Sequence, residues 1–150
     1  MKKIKILIVL IIVLVALFGI SRLLHKDQPE APQSEKISYQ NASSDLVSID
    51  LPFPGAVVGK EFSVLGKARG TWYFEASFPV EVLDKDGKRL VSVPAAAQGD
   101  WMTENFVPFK ADLKIPSSYI GRATLILHKD NPSGLPQNEA SVSIPINIEY

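Results

Sequence analysis

The chain has 150 residues, 46 % of them hydrophobic, a formal net charge of zero and no cysteine. Without cysteine there is no disulfide, thiolate metal site, cysteine nucleophile or lipidated cysteine, so the fold must hold by packing alone. No basic stripe follows the spacing of a phosphate backbone, which argues against a nucleic-acid partner.

At the N-terminus Lys2, Lys3 and Lys5 precede fifteen consecutive apolar residues, Ile6 to Ile20. Carried through to Leu24, the run has about nineteen positions, close to the ~20 that span a hydrocarbon core, and Arg22 near its end can snorkel. Gly19-Ile20-Ser21 offers small residues for cleavage, but Arg22 follows at once and Leu23-Leu24 resume the apolar run. Residues 1–24 are therefore read as one uncleaved transmembrane helix, with a cleaved signal as the competing reading. Three lysines before the helix, against Arg22 and Lys26 after it, predict a single-pass cell-membrane protein with a cytoplasmic N-terminus and an extracytoplasmic C-terminal domain. Residues 25–44 contain Pro29, Pro32, three Gln and charges of both signs. That composition reads as a flexible tether.

From Asp45 to Tyr150 there is room for one domain of about 105 residues. It carries ten Lys and Arg against thirteen Asp and Glu. The hydrophobic period is two: Val47, Ile49 and Leu51 alternate with Ser48 and Asp50 before Pro52-Phe53-Pro54-Gly55 breaks the strand. Further strands are expected at Glu61–Ala68, Thr71–Leu83, Lys88–Val93, Phe106–Leu113, Ala123–His128 and Ala140–Glu149. The last should bury Val142, Ile144, Ile146 and Ile148. The long segment Thr71–Leu83 is expected to divide, with Pro79 marking an edge or bulge, because proline cannot donate to a ladder. Asp84-Lys85-Asp86-Gly87 is a turn in which Gly87 supplies positive φ, and Pro132, Ser133, Gly134 and Pro136 make another loop. Seven strands in this length predict an all-β, immunoglobulin-like two-sheet sandwich, with a small closed barrel as the alternative.

Three segments stand out from ordinary strand filler: Gly66 to Val80, containing Ala68-Arg69-Gly70-Thr71-Trp72-Tyr73-Phe74-Glu75-Ala76; Gly99-Asp100-Trp101-Met102; and Asp130-Asn131-Pro132-Ser133-Gly134-Leu135-Pro136. Together they resemble the immunoglobulin-like domain associated with bacterial spore germination. In that family an Ala-Arg-Gly turn leads into a Trp/Phe-Glu-Ala strand, a Gly-Asp-Trp loop follows, and an Asn-Pro-Ser-Gly loop precedes the last strand. The resemblance runs from about Val47 to Ile148. It implies an extracytoplasmic, non-enzymatic β-sandwich, often attached to a single membrane helix or to other envelope modules. This chain is read as carrying no companion module, so the resemblance is not expected by itself to imply a role in germination.

The same residues divide between building and binding. On a continuous strand Trp72 and Phe74 share one face and Tyr73 and Glu75 the other. Burial of the first pair would leave Arg69, Tyr73 and Glu75 together on the outer face or at its rim. The structural reading is an Arg69–Glu75 ion pair that orients the turn; the functional one is a ligand-facing polar cluster. Trp101, next to Asp100, is expected to act as a lid on the core, with a solvent-facing contact as the alternative. Asp130, Asn131 and Ser133 suit either a self-bonded turn or a ligand-facing loop, the turn being the simpler reading.

No nucleophile elbow or oxyanion-type glycine run accompanies the serines and the two histidines, His25 and His128. Glu75, Asp100 and Glu104 are the carboxylates available to a glycan hydrolase, but nothing in their spacing selects them. Asp84 and Asp86 lack the further ligands of a calcium loop. The chain is accordingly expected to be no enzyme and to need neither cofactor nor metal. It reads as a membrane-tethered binding module whose partner is an envelope protein or a cell-wall polymer. The rival readings are a structural subunit of a membrane assembly and, behind it, a wall glycan hydrolase.

Overall fold

The structure is a computed structural model that describes residues 36–150. The expected membrane helix and the first part of the expected tether, residues 25–35, lie outside the described residues. Among the described residues no helix is long and apolar enough to cross a membrane.

Among the described residues there are nine strands: β1 Ser38–Gln40, β2 Val47–Leu51, β3 Val57–Val58, β4 Glu61–Arg69, β5 Ser77–Asp84, β6 Arg89–Ala97, β7 Phe106–Lys114, β8 Gly121–His128 and β9 Ser141–Ile148. They join in the order β1-β9-β8-β5-β6-β7-β4-β2, with β3 pairing β9 in parallel. Strand β6 runs along most of β5 but meets β7 only through Ala96 and Ala97. That short corner lets the sheet curl over on itself, so that the β9-β8-β5-β6 layer faces the β7-β4-β2 layer. The two layers meet where Phe78 of β5 packs edge-on against Phe109 of β7, with ring centroids 4.9 Å apart.

Alternation in the sequence supplies the core. Strand β9 buries Val142, Ile144, Ile146 and Ile148; β8 buries Ala123, Leu125 and Leu127; β5 buries Phe78, Val80 and Val82. From the other layer β7 contributes Val107, Phe109, Ala111 and Leu113, and β4 contributes Val64 and Ala68. Gly66 in β4 is required by contact rather than by φ. A Cβ there would enter the Ser48 carbonyl oxygen and lie 2.6 Å from the Phe109 ring.

The two strands beyond the expected seven are short, and their pairing cannot be read locally. Strand β1 falls within the segment read as tether and lies antiparallel on β9, Ser38 opposite Ser143 and Gln40 opposite Ser141. Strand β3 follows the expected break at Pro52–Gly55 and carries the chain from β4's layer to β9, where Val57 and Val58 sit opposite Asn147 and Ile148. The turn after β5 forms as expected, with Gly87 at φ 79 and Asp84 Oδ1 accepting from the backbone N–H groups of Asp86 and Lys88.

One expectation about the strands needs correction. The break in Thr71–Leu83 does not fall at Pro79, which lies within β5 opposite Pro94 of β6, just past the last β5–β8 pair at Val80 and Leu127. It falls upstream, where Gly70–Trp72 form one 3-10 turn and the chain then reverses at Glu75 and Ala76.

Candidate functional site

The ladder ends Val47–Ala68, Arg69–Phe106, Ser77–Ala96 and His128–Ser141 all lie at one end of the sandwich. Four connections therefore gather there: residues 41–46, 70–76, 98–105 and 129–140. Every candidate residue, Arg69, Tyr73, Glu75, Asp100, Trp101, Asp130, Asn131 and Ser133, belongs to this loop end or to the last position of the strand that feeds it.

The 70–76 loop is the centre of the group. The Gly70 N–H donates to the Asn105 carbonyl at 3.2 Å, the Ala97 N–H to Ala76 at 2.8 Å, and the Asp130 N–H to Trp72 at 3.0 Å. Gly70 is needed because a Cβ would enter the carbonyl oxygens of Trp101 and Thr103. Below it, Trp72 and Tyr73 plug the core, each packing edge-on against Phe78, at 6.3 and 5.1 Å between centroids. Such pairs contribute about 0.5–1.5 kcal/mol each beyond the area they bury.

This arrangement overturns the strand-parity expectation. Tyr73 is 5 % exposed, not on an outer face, and Phe74 is 45 % exposed, not buried. The 3-10 turn rotates the chain by a different step from a strand, so side chains two apart no longer share a face. The Tyr73 hydroxyl donates to the Val107 carbonyl at 2.7 Å, and burial pushes the phenol up to about 12. Glu75 and Ala76, at φ 49 and 61, are the central pair of a tight hairpin closed by mutual Phe74–Ser77 backbone hydrogen bonds of 3.0 and 3.1 Å. Two left-handed residues in succession define the type I′ turn, which usually recruits Asn-Gly.

The expected Arg69–Glu75 ion pair is not formed. Arg69 Nε donates to the Asp45 carbonyl at 3.0 Å and Nη1 to the Glu104 carbonyl at 3.3 Å, while its guanidinium lies 4.1 Å from the Phe106 ring centroid. Arg69 thus fastens the 98–105 loop to the 41–46 loop. The Asp130 carboxyl is raised by burial and, to a lesser degree, by the Glu75 charge.

The two remaining loops also bond within themselves. Asp100 Oδ1 accepts from the Met102 N–H at 3.0 Å, which presents Met102 at 77 % exposure, while Trp101 is half-buried against the core in the manner of a lid. Asn131 Nδ2 donates to the Leu135 carbonyl at 2.9 Å, and the Ser133 hydroxyl donates to Asn131 Oδ1 at 2.5 Å and accepts from Asn138 Nδ2 at 2.9 Å. Asn131 and Ser133 therefore shape the loop, leaving Leu135 48 % exposed.

A family model for the immunoglobulin-like domain of bacterial spore germination matches residues 46–134. The chain belongs to that family. The match takes in β2 to β8, the first two distinctive segments and the third as far as Gly134; β9 lies beyond it and completes the same core. No curated protein matches the chain.

Sequence reasoning missed two features. The exposure of Leu46, Phe74, Met102 and Leu135 was not anticipated, although the last three lie in the distinctive segments. On the outer face of the other layer, Glu81 of β5 is held by His128 Nε2 and Arg89 Nε, each at 2.7 Å. Burial alone would raise the Glu81 carboxyl, but the hydrogen bonds and charges of His128 and Arg89 outweigh it and hold it below the usual value. Those three residues come from three strands, and no local pattern connects them. A shallow cleft of about 340 Å³ opens next to His128, between Gln40, Lys129, Asn131 and Glu139.

Proposed function

We propose that the chain is a membrane-tethered, extracytoplasmic interaction module of the bacterial cell envelope. It performs no catalysis and engages an envelope protein or wall polymer through its loop end, in spore germination or envelope assembly. The observation that carries this reading is the convergence of four connections, distant in sequence, on one end of the sandwich. Membership of the germination family supports an interaction role in the general sense. The tethering and its direction rest on the basic start, the apolar run Ile6–Ile20 and the lysine asymmetry.

The absence of cysteine makes the test clean. In full-length protein expressed in cells, Met102→Cys should react with a membrane-impermeant maleimide before lysis; labelling only after lysis would overturn the external location. A photo-crosslinking side chain in place of Met102 should give a discrete adduct. The same group in place of Lys114, at the opposite end of β7, should not. Equal adducts from both positions, or none from Met102, would overturn the interaction reading of this end.

A further inference from the structure

The loop end combines two properties that a self-contained sandwich has no need of. Leu46, Phe74, Met102 and Leu135, one from each of the four connections, are 37, 45, 77 and 48 % exposed. Around them stand Asp45, Glu75, Asp100, Glu104 and Asp130. None of the five carboxylates forms an ion pair among the described residues, whereas at the far end of the β4–β7 ladder Glu61 is paired with Lys114 at 2.6 Å and Asp112 with Lys110 at 3.1 Å. Of the cations at this end, Arg69 directs its guanidinium to two backbone carbonyls and the Phe106 face, and Lys67 lies over the same ring with its Nζ 5.3 Å from the centroid. Lys129, next to Asp130 in the 129–140 connection, lines the cleft beside His128, so the five carboxylates outnumber the three cations of this end.

We infer that this end docks a cationic segment of a partner protein, one that presents Lys or Arg side chains together with apolar ones. The inference rests on the interaction reading above and narrows it to one class of occupant. Charge complementarity decides between classes. Unpaired carboxylates repel an anionic polymer or an anionic lipid surface and attract a basic chain, raising its encounter rate. A second copy of the same acidic surface would be repelled likewise. The exposed apolar side chains then supply short-range contact once the charges have brought the partner in.

The test uses full-length protein in detergent and two synthetic peptides of identical length, one alternating Lys with Leu and the other alternating Glu with Leu. The Lys peptide should bind, lose affinity as salt rises, and crosslink to a photo-reactive group in place of Met102; the Glu peptide should not bind. Glu75→Gln combined with Glu104→Gln should weaken the Lys peptide about tenfold. Glu61→Gln at the far end should leave it unchanged. Glu104→Gln alone guards against a folding artefact, because only the backbone of Glu104 is used by the fold; it should weaken binding severalfold. Met102→Ser should weaken binding without altering its salt dependence. Equal binding of the two peptides, insensitivity to Glu104→Gln, or an adduct in cells that is an anionic polymer or a second copy would overturn the cationic class. The last two outcomes would leave the interaction reading standing, whereas the absence of any Met102 adduct in cells would remove both.

Discussion

Glu75 and Ala76 adopt left-handed backbone without the help of glycine. For an L residue that conformation costs about 1–2 kcal/mol. Ala76→Gly should therefore stabilise the domain by about 0.5–1 kcal/mol, the relief of strain being partly offset by the greater freedom of glycine in the unfolded chain. A shift of the urea midpoint to higher concentration at unchanged slope checks it; a lower midpoint would mean that the Ala76 methyl contributes packing worth more than the strain. Strain of this kind concentrates at functional sites, and here it directly follows the exposed Phe74. Tyr73 and Phe74 show how little residue type alone decides. One aromatic is sealed under the loop with its hydroxyl satisfied by Val107, and its neighbour points outward because the backbone has left the strand.

Among the elements, the 70–76 and 98–105 connections are fitted to each other by one close approach. Gly70→Ala would push the 70–76 loop away from Trp101 and Thr103, weaken the Gly70–Asn105 hydrogen bond and disturb the seat of Trp72. The expected cost is about 1–3 kcal/mol, read as a lower melting temperature with altered tryptophan fluorescence. Gly99→Ala is the control, since a Cβ there meets only a Val107 methyl at 3.9 Å. Unchanged stability in Gly70→Ala would mean that the loops separate without loss. At this scale most of the architecture was legible. Alternation placed β2, β4, β7, β8 and β9 within a residue or two, because each buries one face and exposes the other. It failed at Trp72 to Glu75, where an aromatic run mimics a strand while the chain makes a 3-10 turn and a hairpin.

For the molecule as a whole, the Glu81 cluster ties together β5, β6 and β8, and it sets an acid limit on stability. The folded-state carboxyl lies below the ordinary glutamate value of 4.5. Below that value the unfolded chain takes up the proton first, so the contribution is complete above it and is lost as pH falls toward the lowered folded value. Glu81→Gln should flatten the acid limb of a stability–pH curve, and His128→Ala should flatten it in part, because Arg89 remains. An unaltered limb in Glu81→Gln would assign acid sensitivity to other carboxylates. None of this was legible in the sequence, since Glu81, Arg89 and His128 meet only when β8 and β6 flank β5. The gathering of the candidate loops was hidden for the same reason: their residues could be singled out by motif, but that they share one end follows from strand directions. Strand β1 has its own consequence for how the molecule bears load. It runs toward the loop end along β9. If a partner grips the loops while the chain ahead of Lys36 is pulled the opposite way, the force acts along the strand axis and strains the β1–β9 hydrogen bonds together in shear, instead of peeling them one after another. A three-residue strand then serves as a mechanical clamp.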